Sequence, residues 1–265
     1  MPAERSNHTL RRTTVVVGMI AGLGLAFGSP ATAAEIDPDA SRIVREMTEY
    51  LSKLPAFSVR GDVDDELIDL DGQKLQISSS SSLVVERPAH FYAHRQGPVA
   101  DLEAFFDGST LTLHGKRIEA YMQLDISGTI DTAITGLRSE LGLGVPAGDL
   151  FYADAYEGLM TDVTSGTYMG TAYVGGTEVH HLAFRAKKVD WQLWVKTGAQ
   201  PLPMKYVITS KWLTGAPAYS VRFQDWSTTP KISASQFKFA PPKGATKVDA
   251  ISVHELGTLS IEEAR

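Results

Sequence analysis

Apolar residues recur along this chain with two different periods, and the places where the period changes mark its elements. Ile43, Val44, Met47, Leu51 and Leu54 fall at helical spacing and form one stripe. Asp37-Pro38 supplies a start for that helix, because Asp caps the free N–H groups and Pro at the first position lacks an N–H that would go unpaired. Pro55 ends it, leaving Arg42, Arg45, Glu46 and Glu49 on the solvent side. From Ala56 the period is two: Phe57, Val59, Gly61 and Val63 alternate with polar residues, and Asp71-Gly72 marks a hairpin turn. Leu75, Ile77, Ser79, Ser81 and Leu83 continue the alternation. The Ser78–Ser82 run therefore reads as a strand with small side chains on its crowded face and not as a linker.

Arg87-Pro88 stops that strand and His90–Arg95 begins another. Leu102–Phe106 and Leu111–His114 flank the turn Asp107-Gly108, and Ile118–Leu124 follows as a strand. Thr129–Leu141 then breaks the β pattern, because Ile130, Ala133, Ile134, Leu137 and Leu141 share one helical face and Gly142, Gly144 and Pro146 terminate it. Leu150–Met160 reads as a shorter helix. Strands return at Thr167–Val174, Val179–Arg185, Trp191–Lys196, Met204–Lys211 and Tyr219–Trp226, with Phe237–Phe239 as a short last one. The pattern predicts a mainly β protein of α+β class, a strongly curved antiparallel sheet of about ten or eleven strands joined by short turns. A sheet of that size must curl or split, and helices covering its concave face leave room for a ligand.

An apolar run of another kind precedes this domain. Val15–Phe27 follows the basic pair Arg11-Arg12 and ends at Ala31-Thr32-Ala33, the small-x-small pattern of a signal peptidase site. It is shorter than the roughly 20 residues that cross a bilayer. Residues 1–33 are thus expected to be a cleavable signal peptide, with export by the general secretory route, since Thr13-Thr14-Val15 fits a twin-arginine signal poorly. A single domain is expected over residues 34–248 and a flexible tail over residues 249–265. The mature product is expected in the periplasm, soluble and without a transmembrane span.

The chain carries 25 Lys and Arg against 31 Asp and Glu. Loss of the leader removes Arg5, Arg11 and Arg12 against Glu4 alone, which makes the remainder more acidic. With no basic cluster to offset that charge, nucleic-acid binding through phosphates is not expected. Cysteine is absent, which excludes disulfides, thiolate metal sites, a cysteine nucleophile and a lipid-modified anchoring cysteine.

Candidate chemistry is sparse. His180-His181 is the best metal pair by composition, but neighbouring strand residues point to opposite faces, and Glu178 and Asp190 do not complete a ligand set. No metal or cofactor is expected. Ser127-Gly128 and Ser165-Gly166 lack the glycine turn of a nucleophilic serine, and Gly142-Leu143-Gly144 follows a helix where a phosphate cradle precedes one. Asp62, Asp64, Asp65, Glu66, Asp69 and Asp71 form an acidic cluster that reads as a solvated hairpin without calcium-loop spacing. No catalytic constellation emerges, so an enzyme is not expected. Aromatic residues on the predicted strands, among them Phe91, Phe106, Tyr121, Phe184, Trp191 and Trp194, are instead candidates for the lining of an apolar cleft.

Particular residues add a family resemblance. Arg87-Pro88 followed by Phe91 resembles the R-P-x-x-F segment of the periplasmic lipoprotein carriers, the LolA/LolB-like superfamily. Asp107-Gly108-Ser109-Thr110-Leu111 is similar to its D-G-x-T-L hairpin, and Phe237–Gly244 to its closing F-x-F-x-P-P-x-G strand. Order and spacing agree over Ala40–Val248. A group of uncharacterised predicted periplasmic proteins matches further at Asp190-Trp191-Gln192-Leu193-Trp194, Pro201-Leu202-Pro203, Lys205 and Ile208-Thr209.

The resemblance implies an unclosed β-barrel lidded by helices around an apolar cavity for acyl chains. It also implies that Arg87 holds the lid through hydrogen bonds to backbone carbonyls. The expectation is a non-enzymatic carrier of a lipid or an acylated protein. The alternative is a structural or sensory module that works through an envelope protein partner.

Overall fold

The computed structural model describes residues 35–251, so the expected signal peptide and residues 252–265 lie outside the described residues. The chain begins with helix α1 (Pro38–Lys53). Its cap is Asp37, whose carboxylate accepts from the Asp39 N–H at 2.8 Å. The same carboxylate accepts from the Tyr168 N–H at 3.3 Å, so one residue both starts the helix and ties it to a distant strand. Ala40, Ile43, Val44, Met47, Thr48 and Leu51 are the buried face, as the helical stripe requires.

Strands β1 (Ala56–Ile68), β2 (Lys74–Glu86), β3 (His90–Gln96), β4 (Asp101–Phe106), β5 (Thr110–Gly115) and β6 (Ala120–Asp125) follow as a meander. Helix α2 (Ile130–Leu141), a 3-10 turn (Gly148–Phe151) and helix α3 (Ala155–Met160) interrupt them. The second meander is β7 (Val163–Val174), β8 (Thr177–Ala186), β9 (Val189–Lys196), β10 (Pro203–Ser210) and β11 (Ala218–Ser227). A 3-10 turn (Ala234–Phe237) and the two-residue β12 (Thr246–Lys247) complete the described chain.

All twelve strands form one sheet in the order β12-β6-β5-β4-β3-β2-β1-β11-β10-β9-β8-β7, with β1 and β11 joining the two meanders. Pairing is antiparallel except between β12 and β6. The ends of the order, β12 and β7, do not pair with each other, so the barrel is unclosed, as the resemblance implies. Part of the β7 edge is covered locally. The Asp37 N–H donates to the Gly166 carbonyl at 2.9 Å, and a bulge between Tyr168 and Gly170 bends the rest.

Three boundaries differ from the hydrophobic pattern. Phe237–Phe239, expected as a last strand, instead ends a 3-10 turn, and the closing strand lies at Thr246–Lys247. The rings of this segment cover the convex face: Phe237 stacks on His90 at 5.3 Å, and Phe239 packs on Phe105, His114 and Tyr121. The expected helix Leu150–Met160 is a 3-10 turn and a short α-helix, separated where Asp154 caps the second. β7 starts four residues earlier than its alternation suggests, at Val163. Ile251, placed beyond the expected domain end, is buried in the core.

The concave face has two halves. Beneath α1, which packs on β7, β8 and β9, the space is filled. Phe184 and Trp191 stack there with centroids 4.0 Å apart, and Tyr206 meets Trp191 edge-on at 6.0 Å. Gly166 makes that stack possible: a Cβ on it would come within 2.6 Å of the Phe184 ring. Replacing Gly166 with Ala should therefore destabilise the fold by about 1–3 kcal/mol, the usual cost of overpacking. Thermal unfolding should show a midpoint several degrees lower, and an unchanged midpoint would show that the ring yields freely.

Candidate functional site

The other half of the concave face is not filled. Cross-strand register sets which side chains meet there: Val63 pairs with Ser79 and Val221, Gly61 with Ser81 and Phe223, and Asp65 with Ile77 and Tyr219. Next to these, Ala93 pairs with Leu83 and Ala104, and Ala104 with Leu113. The middle of this floor is thus built from Gly61, Ser81, Ala93 and Ala104, which rise too little from the sheet to meet a helix packed above. Gly61 is required by close approach, since a Cβ there would lie 2.8 Å from the Ser81 hydroxyl and 2.9 Å from Val221. Larger residues close one end, where Phe57, Val85, Phe91 and Phe106 are buried. Burial falls off along β1 and β2 toward Asp65 and Ile77, so the hollow opens at that end.

α2 and the loop behind it form the roof. Ile130, Ile134 and Leu137 lie on one face of α2 and line the hollow, joined by Leu143, Val145 and Phe151. The helix starts at a capping box between Thr129 and Thr132 and stops at Gly142, whose left-handed backbone (φ 63°) folds the chain back under itself. Arg138 stitches the roof together. It donates to the Tyr152 hydroxyl at 2.9 Å and to the Val145 carbonyl at 3.4 Å, and it pairs with Asp149. The cavity measures about 250 Å³. An apolar void of roughly 150 Å³ already accommodates benzene, so this space is large enough for an organic ligand.

The roof is tied to the sheet near the closed end. The Ile130 N–H donates to the Pro88 carbonyl at 3.0 Å and the Gly128 N–H to the Gly108 carbonyl at 3.1 Å. Arg87 donates from Nη2 to the Phe151 carbonyl at 3.0 Å. Burial pushes this guanidinium below its ordinary pKa while Asp131 opposes the shift, and its buried Nε has no acceptor among the described residues. α3 fixes the far side of the roof, with the Tyr156 hydroxyl 2.8 Å from Ser41 Oγ and the Arg45 guanidinium 3.8 Å above the Tyr156 ring.

An ion pair and a phenol stand at the open end. Arg95 pairs with Asp65 and donates from Nε to Ser79 Oγ at 3.0 Å. Tyr219 also lines the cavity there. Burial first, then the Asp65 charge, pushes its phenol well above the ordinary value against the opposing effect of Arg95, so it stays protonated. The rest of the acidic cluster faces outward: Asp62 meets Arg222 and Gln224, Asp64 accepts from Ser78, Glu66 pairs with Lys74, and Asp69 holds the turn at Asp71 and Gln73. Asp65 is the member that points inward.

The candidate residues separate by position. Phe91 lines the cavity and Arg87 stands at its roof. Phe106 is buried beside Phe91 without lining the cavity, while Phe184 and Trp191 belong to the filled half beneath α1. Tyr121 and Trp194 are on the convex face, Tyr121 against Phe239 and Trp194 stacked on His181 with Lys205 above its ring at 4.8 Å. His180 faces the other way and meets the Tyr168 hydroxyl at 3.0 Å. Missing from the candidates were the small floor residues and the polar trio of Tyr219, Arg95 and Ser81. Their one sequence signal is small or polar residues recurring where the alternation calls for large apolar ones.

The family described as "Predicted periplasmic protein (DUF2092)" matches residues 40–251. No curated protein matches the chain. Among solved structures, it is similar to an uncharacterised conserved protein from Thermus thermophilus, at 10% identity and a TM-score of 0.47, covering 79% of this chain and 98% of that one. LprF from Mycobacterium bovis is similar at 12% identity and 0.47, covering 75% and 98%. A LolA superfamily protein from Nitrosomonas europaea is similar at 10% identity and 0.39, covering 76% and 97%.

Arg87→Met keeps the stem and removes the donor to the Phe151 carbonyl. It should cost about 1–3 kcal/mol of stability and speed amide exchange across the roof over residues 143–151. Hydrogen-exchange mass spectrometry checks this, and exchange that rises equally across the whole sheet would show that Arg87 does not anchor the roof.

Proposed function

Because the chain belongs to the family of predicted periplasmic proteins whose match spans residues 40–251, we propose that it is a non-enzymatic envelope carrier that binds an acyl chain of a lipid or lipoprotein. The observation that carries this reading is the hollow itself: a cavity of about 250 Å³ walled by aliphatic and aromatic side chains between α2 and the small-residue floor. Burial of each CH₂ group contributes about 0.8 kcal/mol, so an alkyl chain gains affinity here from length alone. The chemistry at the walls supports binding over turnover. Among the described residues that line the cavity, most are apolar, and the Arg95 guanidinium at its open end is already bonded to Asp65.

The five aromatic candidates outside the cavity wall, Phe106, Tyr121, Phe184, Trp191 and Trp194, have structural roles in this reading. Phe91 serves as wall, and Arg87 serves as the tether of the roof.

Native mass spectrometry of protein purified from a bacterial periplasm should show a bound lipid mass, and a fluorescent fatty-acid probe should bind and be displaced by unlabelled acyl chains. Ala104→Phe places a ring in the middle of the floor and should weaken probe binding at least tenfold with the circular dichroism spectrum retained. Full probe affinity in the filled variant, or repeated absence of both bound lipid and probe binding, would remove the carrier reading. A protein complex that survives delipidation would favour a partner-binding module.

A further inference from the structure

The open end of the cavity carries more chemistry than an acyl chain needs. Arg95 and Tyr219 both line it, on strands β3 and β11, with Ser81 between them on β2. Arg95 has five N–H donors, and the Nε donor to Ser79 and an Nη2 donor to Asp65 have protein acceptors. Its side chain remains about a quarter exposed (27%) at the cavity mouth. Ser81 donates its hydroxyl hydrogen to the Gly61 carbonyl at 3.2 Å. The Tyr219 phenol stays protonated, is half-buried where it lines the cavity, and has no protein hydrogen-bond partner among the described residues, so its hydroxyl is free to donate to a ligand.

The electrostatics narrow the ligand further. Asp65 offsets the Arg95 charge, so the mouth presents hydrogen-bond donors without net positive charge. A free carboxylate or phosphate would meet Asp65 at close quarters, whereas an uncharged carbonyl oxygen can accept from Tyr219 and Arg95 with no such penalty. Size points the same way. A cavity of about 250 Å³ between one helix and the floor is of a size for one slender chain.

We propose that the ligand is a single-chain amphiphile joined through an ester or amide, its carbonyl oxygen accepting from Tyr219 and Arg95 at the mouth while its chain lies between α2 and the floor. The inference rests on the carrier reading and gives it a head-group chemistry. The polar trio then sets the depth to which a chain enters, and the buried ring of Phe91 marks where it stops.

The test compares two short-chain probes of equal length below their micelle concentrations, a monoacylglycerol and the matching monoalkylglycerol ether, which differ only in the carbonyl. Titration calorimetry of the wild type should show the ester binding at least about threefold tighter, since its carbonyl gains bonds from Tyr219 and Arg95 that the ether cannot make. Tyr219→Phe should remove most of that advantage and leave the ether affinity within about twofold. The free fatty acid of the same length, ionised at pH 8, should bind more weakly than the ester. Equal affinity of ester and ether in the wild type, or a tighter fatty acid, overturns the inference, and the wild-type comparison stands even where Tyr219→Phe does not fold. Failure of both probes and of a plain alkyl probe removes the carrier reading itself, whereas alkyl binding without carbonyl preference removes only this step.

Discussion

A sheet that curls without closing leaves one long concave apolar face, and something other than the sheet must keep water from it. That constraint organises this molecule. Twelve strands are too many to stay flat under their natural twist, and the order leaves β12 and β7 as separate edges. The cover therefore comes from helices held against the face by contacts at its rim. α1 is pinned by Asp37, which caps the helix and reaches the backbone of β7 in the same stroke. α2 is pinned near the closed end by the backbone bonds at Pro88 and Gly108, with Arg87 reaching the 3-10 turn beyond it.

The two covers meet different floors, and the difference is one of side-chain height. Under α1 the sheet raises Phe184 and Trp191, stacked and made to fit by Gly166, so helix and sheet touch. Under α2 it presents Gly61, Ser81, Ala93 and Ala104, and the helix stands off. Both halves share the same sheet and the same antiparallel pairing. The hollow arises because small residues were placed where large ones would have completed a core, and dispersion contacts worth several kcal/mol are forgone there. A roof stitched internally by Arg138 and joined to α1 through Tyr156 keeps that space from collapsing.

Features of the chain are legible in its sequence wherever the physics is local. The Asp37-Pro38 start and the stripe from Ile43 to Leu51 are settled within a few turns of backbone, so α1 appears where its pattern puts it. The same holds for the face of α2 from Ile130 to Leu137 and for the hairpin at Asp107-Gly108. Phe237–Phe239 misleads because an F-x-F alternation looks like a strand, while its rings are in fact held by His90, Phe105, His114 and Tyr121 from the convex side. Aromatic residues draw attention as cavity walls, yet a large ring fills space. The wall of a hollow is better marked by small residues such as Ala93 and Ala104, which carry little signal in a sequence.

What the amino-acid sequence determined alone was the period, the caps, the turns and hence the class: an antiparallel sheet with amphipathic helices. Only the tertiary structure decided which alternating face turns inward at each strand, because that depends on register and curl. Trp191 and Trp194 both belong to β9, three residues apart, and period two sends one into the core beneath α1 and the other outward onto His181. The meeting of Arg95, Asp65, Ser81 and Tyr219 at one mouth likewise required β1 to pair with β11 across more than 150 residues of chain. Period two names two faces for every strand, and only the assembled sheet says what each face meets.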